Sequence, residues 1–296
     1  MAASILDGKM LAGKFRTSIA KDVQHWIEAG HRAPKLQVIL VGENPASSTY
    51  VGAKTRACLE VGIESDTLTL PDTISTQELY DIIQEFNQDE GTDGILVQLP
   101  IPGHIPSRAV IEAIDYRKDV DGFHPMNIGR MTVGEPAFRP CTPAGIMEIL
   151  DYYSITTKGK HAVLVGASNI VGTPMGIMLS RENSSGKATT TICHKFTKNL
   201  TKHTIDADIL IVAVGQPGII TEQMVKEGVV VIDVGITRVA DHTRERGYRL
   251  AGDCDFESVR EKASWITPVP GGVGPMTVAM LMKNTLLAAK KSIYPR

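Results

Sequence analysis

The chain has 296 residues, of which 43% are hydrophobic and 22% are charged, and its 31 Lys and Arg residues nearly balance 33 Asp and Glu. This composition is that of an ordinary globular protein long enough for two domains. It excludes the basic footprint of a nucleic-acid-binding protein, and it excludes a membrane span, since no segment approaches the roughly 18 apolar residues that a span requires.

The N-terminal segment carries Asp7, Lys9 and Lys14 among its apolar residues, so it lacks the apolar core of a signal peptide. The cysteines are widely spaced and form no C-x-x-C pair: Cys58, Cys141, Cys193 and Cys254. Such spacing argues against a disulfide framework and against a zinc site. We therefore expect a cytoplasmic protein without a bound metal, whose cysteines are reduced and buried.

The first half of the chain alternates helical and strand patterns. The predicted elements are a helix over 5–29, a strand over 36–41, a helix carrying Tyr50 and Lys54, a strand over 64–70, a helix over 75–88 and a strand over 94–98. Alternation of this kind predicts a mostly parallel sheet, because parallel neighbours need a crossover long enough to hold a helix. Ligands of such sheets bind at the carboxyl ends of the strands.

Two motifs fall at this predicted rim of the sheet. Tyr50 and Lys54 lie one helical turn apart after the first strand, and Gln98 ends a later strand that Pro100 cannot continue. A phenol and an amine at such a position are suited to acid/base chemistry. The alternative is an ordinary amphipathic helix with a lysine that extends into solvent.

An acidic loop, Lys118-Asp-Val-Asp121-Gly122, follows and is either a functional loop or a plain Asx-turn. After it, Thr142 and Pro143 have the pattern of an N-cap and a first helical residue, which predicts a helix over 144–153. We place the domain boundary near residues 140–150.

The second half begins a new pattern of strands. Strands are predicted over 161–165, 188–193, 208–214 and 229–234, and the first is followed by the glycine-rich turn Gly166-Ala-Ser168-Asn-Ile-Val-Gly172 and a helix over 175–181. This arrangement favours a doubly wound dinucleotide domain, because such a turn brings phosphate to backbone amides at a helix N-terminus. Ser168 replaces the second glycine of the usual motif, and an α/β layer that binds no nucleotide is the alternative.

The second strand of this half ends in His194-Lys195 with no acidic residue nearby. A basic residue there favours NADP over NAD, although a solvated basic face would have the same pattern. Further on, Pro268-Val-Pro-Gly-Gly-Val-Gly-Pro-Met-Thr277 combines glycines and prolines in a rigid loop before a helix over 278–290. Loops whose backbone conformation is restricted in this way are usually functional, and this one is suited to wrapping around a flat ligand.

Taken together, these motifs closely resemble those of the bifunctional 5,10-methylenetetrahydrofolate dehydrogenase/cyclohydrolase family: Tyr50-x-x-x-Lys54, Val97-Gln98-Leu99-Pro100, the loop 118–122, the turn 166–172 and the loop 268–277. The resemblance covers nearly the whole chain. It implies two α/β domains with a cleft between them, the second a Rossmann-like doubly wound parallel sheet. Residues 1–143, completed by the C-terminal helix 275–296, would form the folate-binding catalytic domain, and residues 144–274 the NADP-binding domain of a homodimer.

The resemblance also implies residue roles. Lys54 would be the central catalytic residue, assisted by Gln98, while Tyr50 would stack on the folate and Asp121 would hold its pterin nitrogens. The other implied folate contacts are Val97, Leu99, Pro100, Pro270, Gly271, Gly272, Val273 and Gly274. The implied NADP contacts are Thr142, Gly166, Ala167, Ser168, Ile170, His194, Lys195, Gly215, Ile236 and Thr277.

The sequence departs from the family's pattern at two places, and two functions other than the bifunctional one are also considered. Ala167 stands where the family often has arginine, which leaves Lys195 as the main partner for a 2′-phosphate, and the segment 181–187 is slightly long. A dehydrogenase without cyclohydrolase activity and a non-catalytic folate- or nucleotide-binding protein both stay open at this point.

Overall fold

The structure, a computed structural model, describes residues 2–182, 186–244 and 247–295. It divides into two compact units, one formed by residues 13–141 and 278–296, the other by residues 1–12 and 142–277. We call them the three-stranded unit and the six-stranded unit after their main sheets. The long segment 181–187 noted in the sequence has its centre outside the described residues.

The elements of the described residues, in chain order, are β1 (Ser4–Ile5), α1 (Gly8–Glu28), β2 (Lys35–Val41), α2 (Pro45–Val61), β3 (Glu64–Leu70), α3 (Thr76–Gln88), β4 (Gly94–Val97), α4 (Ser107–Ala113), α5 (Pro125–Val133), α6 (Cys141–Tyr152), β5 (His161–Val165), α7 (Gly172–Ser180), β6 (Thr189–Cys193), α8 (Leu200–Thr204), β7 (Ile209–Val212), a 3₁₀ turn (Glu222–Met224), β8 (Val230–Asp233), β9 (Thr237–Ala240), β10 (Tyr248–Ala251), α9 (Phe256–Val259), β11 (Trp265–Ile266) and α10 (Val273–Ala289).

The three-stranded unit is built on a parallel sheet in the order β3-β2-β4, as the alternating pattern predicted. Strands β2 and β4 are almost entirely buried, which explains their continuous apolar sequences. Helix α3 packs Leu79 and Ile83 into this core. Its N-terminus is fixed by a capping box, in which Ser75 and Glu78 exchange side-chain and backbone hydrogen bonds.

The main sheet of the six-stranded unit has the strand order β1-β11-β8-β7-β5-β6, and all its neighbouring strands are parallel. The same unit holds a separate antiparallel pair, β9 and β10. The predicted Rossmann-like sheet is confirmed. From β5 the chain adds β6 on one side and then crosses to the other side of β5, where it adds β7 and β8. The strand order therefore reverses between β5 and β7. The strands β1 and β11 were not predicted, since each has only two residues and carries no periodic signal.

Three helices begin earlier than the sequence predicted. Helix α6 begins at Cys141, so Thr142 lies in its first turn and not at the N-cap; α7 begins at Gly172, and α10 begins at Val273. In each case glycine or proline near the start discouraged an earlier helical assignment, although both are tolerated in a first turn. No helix among the described residues is long and apolar enough to cross a membrane.

Candidate active site

Lys54 and Gln98 meet in the three-stranded unit because α2 follows the central strand β2 and Gln98 follows β4 directly. The Lys54 Nζ donates a hydrogen bond of 3.0 Å to the Gln98 Oε1. The Gln98 Nε2 donates to the Leu99 carbonyl at 2.7 Å, which turns the amide oxygen toward the amine. With only 7% of Lys54 exposed, its amine is held in one place at the carboxyl end of the sheet.

Asp121 is brought to the same place by a turn beside β4. The Ile95 amide donates to the Lys118 carbonyl at 2.8 Å, which aligns the start of the acidic loop with the strand. Burial raises the pKa of the Asp121 carboxyl, and the positive charge of Lys54 opposes that rise. Gly122 completes the turn with a φ of 79°, and a Cβ there would lie 2.5 Å from the carbonyl carbon of Arg139. Only glycine fits this position.

The conformation of the loop 118–122 depends on a residue that sequence reasoning did not single out. Asp119 is 2% exposed, and its carboxylate accepts hydrogen bonds from the His124 amide at 2.7 Å and the Asn127 side chain at 2.8 Å. It also accepts from the Gly122 amide at 3.2 Å. An aspartate two residues before Asp121 in a glycine-containing turn was the available signal.

A second residue missed by sequence reasoning comes from the C-terminal helix. The Asn284 Nδ2 donates to the Val120 carbonyl at 2.8 Å and to the Arg139 carbonyl at 3.1 Å. Asn284 thereby joins the two backbone segments that flank Asp121. It lies 164 residues after Val120, so no local pattern could have revealed the contact.

Buried thiols border this cluster. Burial raises the pKa of Cys58 to about 12, although the Ser65 hydroxyl and the charge of Lys54 oppose the rise. Burial also raises the pKa of Cys141 well above its ordinary value, and its Sγ donates to the Val120 carbonyl at 3.3 Å. Both thiols stay neutral at ordinary pH.

Tyr50 lies on α2 one turn before Lys54 and is 36% exposed. Burial of the rest of the ring raises the pKa of its phenol, so the group remains neutral. Of the other predicted folate residues in this unit, Val97 is buried, Leu99 is half-buried and Pro100 is exposed. The structure thus groups Lys54 with Gln98 and Asp121, and it leaves part of the Tyr50 ring accessible on the same helix.

The predicted glycine-rich turn occupies the carboxyl end of β5 in the six-stranded unit. Gly166 has a φ of 122°, and a Cβ there would lie 2.3 Å from the Ala213 carbonyl oxygen. A Cβ on Gly172 would lie 1.9 Å from the Gly166 carbonyl oxygen. Ser168, at the position of the missing glycine, accepts a hydrogen bond at its hydroxyl from the Val171 amide at 3.1 Å. Ala167, Ser168 and Ile170 are exposed above it.

The predicted cofactor residues His194 and Lys195 follow β6 and are both exposed. The His194 amide donates to the Thr197 hydroxyl at 2.9 Å, which closes a tight turn. The Lys195 Nζ lies 5.0 Å from the centre of the Phe196 ring, within range of a cation–π contact. A basic side chain is therefore presented to solvent where dinucleotide domains contact the ribose.

The remaining predicted residues of this unit lie in four places. Gly215 follows β7, and Ile236, 40% exposed, follows β8. The Thr142 and Thr277 hydroxyls form a hydrogen bond of 3.0 Å. In the rigid loop, the Gly271 carbonyl accepts from the Lys9 amide at 2.8 Å, and a Cβ on Gly8 would lie 1.8 Å from the Gly272 carbonyl oxygen.

The same loop holds five residues predicted to contact folate: Pro270, Gly271, Gly272, Val273 and Gly274. They belong to the six-stranded unit, whereas Tyr50, Val97, Leu99 and Pro100 belong to the three-stranded unit. The predicted folate set is therefore divided between the two units.

Comparison with known families agrees with this geometry. Residues 6–121 match the catalytic domain of tetrahydrofolate dehydrogenase/cyclohydrolase, and residues 140–293 match its NAD(P)-binding domain. The chain belongs to this family. It is 52% identical over 286 residues to the bifunctional protein FolD of Flavobacterium johnsoniae, with 97% of each chain covered.

Solved structures extend the likeness to the whole tetrahydrofolate dehydrogenase/cyclohydrolase fold. The bifunctional FolD enzyme of Campylobacter jejuni is 48% identical, with a TM-score of 0.92 over 98% of this chain and 100% of that chain. The FolD of Trypanosoma brucei, solved with NADP cofactor and an inhibitor, is 35% identical, with a TM-score of 0.94 over 100% of both chains. The predicted family and two-domain α/β fold are confirmed.

Proposed function

We propose that this chain oxidises 5,10-methylenetetrahydrofolate with NADP and hydrolyses the 5,10-methenyl product to 10-formyltetrahydrofolate, as a step of one-carbon folate metabolism. The part-buried hydrogen bond of 3.0 Å between Lys54 and Gln98 carries the proposal, because it joins side chains 44 residues apart at the rim of the sheet. The Flavobacterium johnsoniae and Campylobacter jejuni relatives are named as bifunctional, which supports both activities.

The two reactions make different demands on the protein. Oxidation breaks one C–H bond of the methylene group and transfers hydride, which leaves a methenyl cation; bound NADP supplies the hydride acceptor. Hydrolysis adds water to the methenyl carbon and removes a proton from that water, which gives a neutral hydroxyl adduct. The bond between the carbon and N5 then breaks as the hydroxyl loses its proton to form the formyl C=O and N5 gains a proton, so that one proton is released overall. The second reaction therefore needs a group that takes and returns a proton.

Lys54 is suited to that proton transfer. Its amine is almost fully buried, is aimed by the Gln98 oxygen and lies within electrostatic reach of Asp121. A side chain held in one geometry reacts faster than a mobile one, because the cost of ordering it is not part of the barrier. We assign Lys54 to proton transfer at Nζ and Gln98 to holding that amine.

Tyr50 and Asp121 are assigned to folate binding. The neutral, part-exposed ring of Tyr50 offers a flat surface for the pterin and aminobenzoate rings. The Asp121 carboxylate has two oxygens that accept parallel donors, which matches the amino group and ring nitrogen of a pterin. Val97, Leu99, Pro100 and the loop residues 270–274 complete the proposed folate set.

The cofactor set fits a dinucleotide. A Cβ built on Gly215 would meet no atom within 4 Å, so this loop leaves open space at its surface. The exposed Lys195, with His194 beside it, supplies positive charge for a 2′-phosphate. Thr142, Gly166, Ala167, Ser168, Ile170, Ile236 and Thr277 complete the proposed set, and the NADP complex of the Trypanosoma brucei enzyme supports the choice of cofactor.

A pair of initial-rate assays tests the proposal. Reduction of NADP and of NAD is followed with 5,10-methylenetetrahydrofolate, and hydrolysis is followed separately with the methenyl compound. We expect NADP reduction and hydrolysis faster than the uncatalysed rate. Hydrolysis at the uncatalysed rate would leave a dehydrogenase alone, and absence of both activities would leave a non-catalytic binding protein.

The domain limits, assembly and location belong to the same proposal. Residues 1–143 with 275–296 would bind folate and residues 144–274 would bind NADP, in a cytoplasmic homodimer. The family assignment of residues 6–121 and 140–293 supports the division of roles. Sedimentation equilibrium of the purified chain and fractionation of the cells that produce it test the assembly and the location.

A further inference from the structure

Two buried carboxylates lie beneath the loops at the carboxyl ends of β7 and β8 in the six-stranded unit. The side chains of Asp253 and Asp233 are 0% and 4% exposed. No assigned role includes either of them. The strand order reverses between β5 and β7, and in sheets of this kind a dinucleotide binds at the carboxyl ends of the strands where the order reverses. The loop after β7 is therefore one wall of the nucleotide site.

Asp253 fixes that wall directly. Its Oδ2 accepts hydrogen bonds from the Val214 amide at 2.7 Å and the Gly215 amide at 3.0 Å. Consecutive amides that bind one carboxylate oxygen are held in a defined turn, since hydrogen bonds to an ionised acceptor are stronger than neutral ones. Gly215 has a φ of 69°, so the turn that Asp253 stabilises is one that favours glycine.

Asp233 holds Asp253 in turn. Its Oδ1 accepts from the Asp253 amide at 2.9 Å and the Gly235 amide at 3.0 Å, and its Oδ2 accepts from the Cys254 amide at 2.8 Å. The Asp233 amide donates to the Thr267 hydroxyl at 2.7 Å. A continuous series of hydrogen bonds thus runs from β8 through Asp233 and Asp253 to the loop after β7.

The surrounding backbone leaves room for these carboxylates and for nothing larger. A Cβ on Gly235 would lie 2.2 Å from the Asp253 Cγ, and a Cβ on Gly252 would lie 2.0 Å from the Asp233 Oδ2. The Asp253 Oδ1 is buried without a hydrogen-bond partner among the described residues. Burying two acids together, one with an unpaired oxygen, lowers stability, so stability alone does not account for the arrangement.

We propose that Asp253 is a positioning residue of the nucleotide site, which fixes the Val214–Gly215 turn so that its open face receives the dinucleotide, with Asp233 as its support. The inference rests on the proposed use of NADP. Asp253 acts through the loop backbone and not on the reacting atoms. Its loss should therefore weaken NADP binding while leaving the Lys54 chemistry intact.

The test compares Asp253→Ala, Asp253→Asn and the exposed neighbour Asp255→Asn as a matched control. We expect Asp253→Ala to weaken NADP binding, measured by calorimetry, and to raise the Michaelis constant for NADP by about 10- to 100-fold, the range for losing hydrogen bonds to a charged group. Hydrolysis of the methenyl compound, which consumes no NADP, should stay within about twofold. Asp253→Asn should recover part of the affinity, because its amide oxygen still accepts from the loop.

Three results would overturn the proposal: unchanged NADP affinity in both Asp253 variants, equal losses of NADP binding and of hydrolysis, or failure of both variants to fold by circular dichroism. The last two would make Asp253 a structural residue. The unmodified protein separates this test from the proposed function. If it does not reduce NADP at all, the proposed function fails, whereas normal NADP reduction with unaffected variants rejects only the role of Asp253.

Discussion

The two units bury charge in opposite ways. In the three-stranded unit a cation and an acid, Lys54 and Asp121, lie close enough to influence each other, and Gln98 orients the amine. In the six-stranded unit two acids, Asp233 and Asp253, lie together and accept hydrogen bonds from backbone amides. The first arrangement presents side chains that can transfer protons, whereas the second shapes backbone that can bind a ligand. Which group is removed should therefore decide which activity is lost.

The largest expected effect comes from Lys54→Met, which removes the amine and keeps the apolar stem. We expect cyclohydrolase turnover to fall by about 10²- to 10⁴-fold, the usual contribution of a positioned acid/base group. NADP affinity should be unchanged, since it depends on the other unit. Hydrolysis assays and NADP titration measure the two effects, with the exposed Arg56→Met on the same helix as the control. Wild-type hydrolysis by Lys54→Met would remove Lys54 from the mechanism.

The buried acid pair should make stability depend on pH. Burial, together with the neighbouring Asp253, raises the pKa of Asp233 to about 6, although three backbone amides oppose the rise. Because this folded-state pKa lies above the unfolded value of about 3.9, Asp233 favours folding fully below pH ~4 and loses that contribution as pH rises through 6. The loss amounts to about 3 kcal/mol.

Urea unfolding of the unmodified protein and of Asp233→Asn, at pH values from 4 to 7.5, measures this contribution. The difference between their free energies of unfolding should shift by about 3 kcal/mol in favour of the variant as pH rises, because only the unmodified protein must ionise the buried acid. Taking the difference cancels the pH dependence that the other carboxyl groups contribute to the stability of both proteins. A difference that is independent of pH would contradict the raised pKa.

A smaller effect is expected at the exposed edge of the nucleotide site. Lys195→Ala should raise the Michaelis constant for NADP by about tenfold and hardly change that for NAD, because only NADP carries the 2′-phosphate. The effect should shrink at high salt, since an exposed charge is screened. Initial rates with both cofactors measure it, and Lys198→Ala is the control from the same exposed segment. Equal changes for NADP and NAD would reject the phosphate contact.

The smallest effect tests a position that belongs to neither charged cluster. Ser75→Ala removes the side chain that caps α3 and should lower the free energy of unfolding by about 1 kcal/mol. Neither catalytic rate should change. Ser107→Ala is the control, since α4 begins without a side-chain cap. A loss of turnover in Ser75→Ala would show that general destabilisation alone reduces activity. The activity losses of the other variants would then have to be measured against controls of equal stability.

Local sequence determined much of this protein. Runs such as 36–41 and 161–165 formed the strands they predicted, because a buried parallel strand needs a continuous apolar sequence. The glycines of the turn 166–172 and of the loop 118–122 could also be interpreted from the sequence, because their backbone conformations exclude other residues. The motifs around Lys54, Gln98 and Asp121 identified the family that the comparisons confirmed.

Tertiary structure decided which side chains hold those motifs in place. Asn284 reaches the backbone beside Asp121 from the far end of the chain, and Asp253 reaches the loop after β7 from a segment 38 and 39 residues later. Neither belongs to a periodic or spaced pattern, because each acts through hydrogen bonds to backbone groups whose position depends on the completed fold. The sequence by itself therefore determined the strands, the turns and the reactive residues, and only the folded chain determined what positions them.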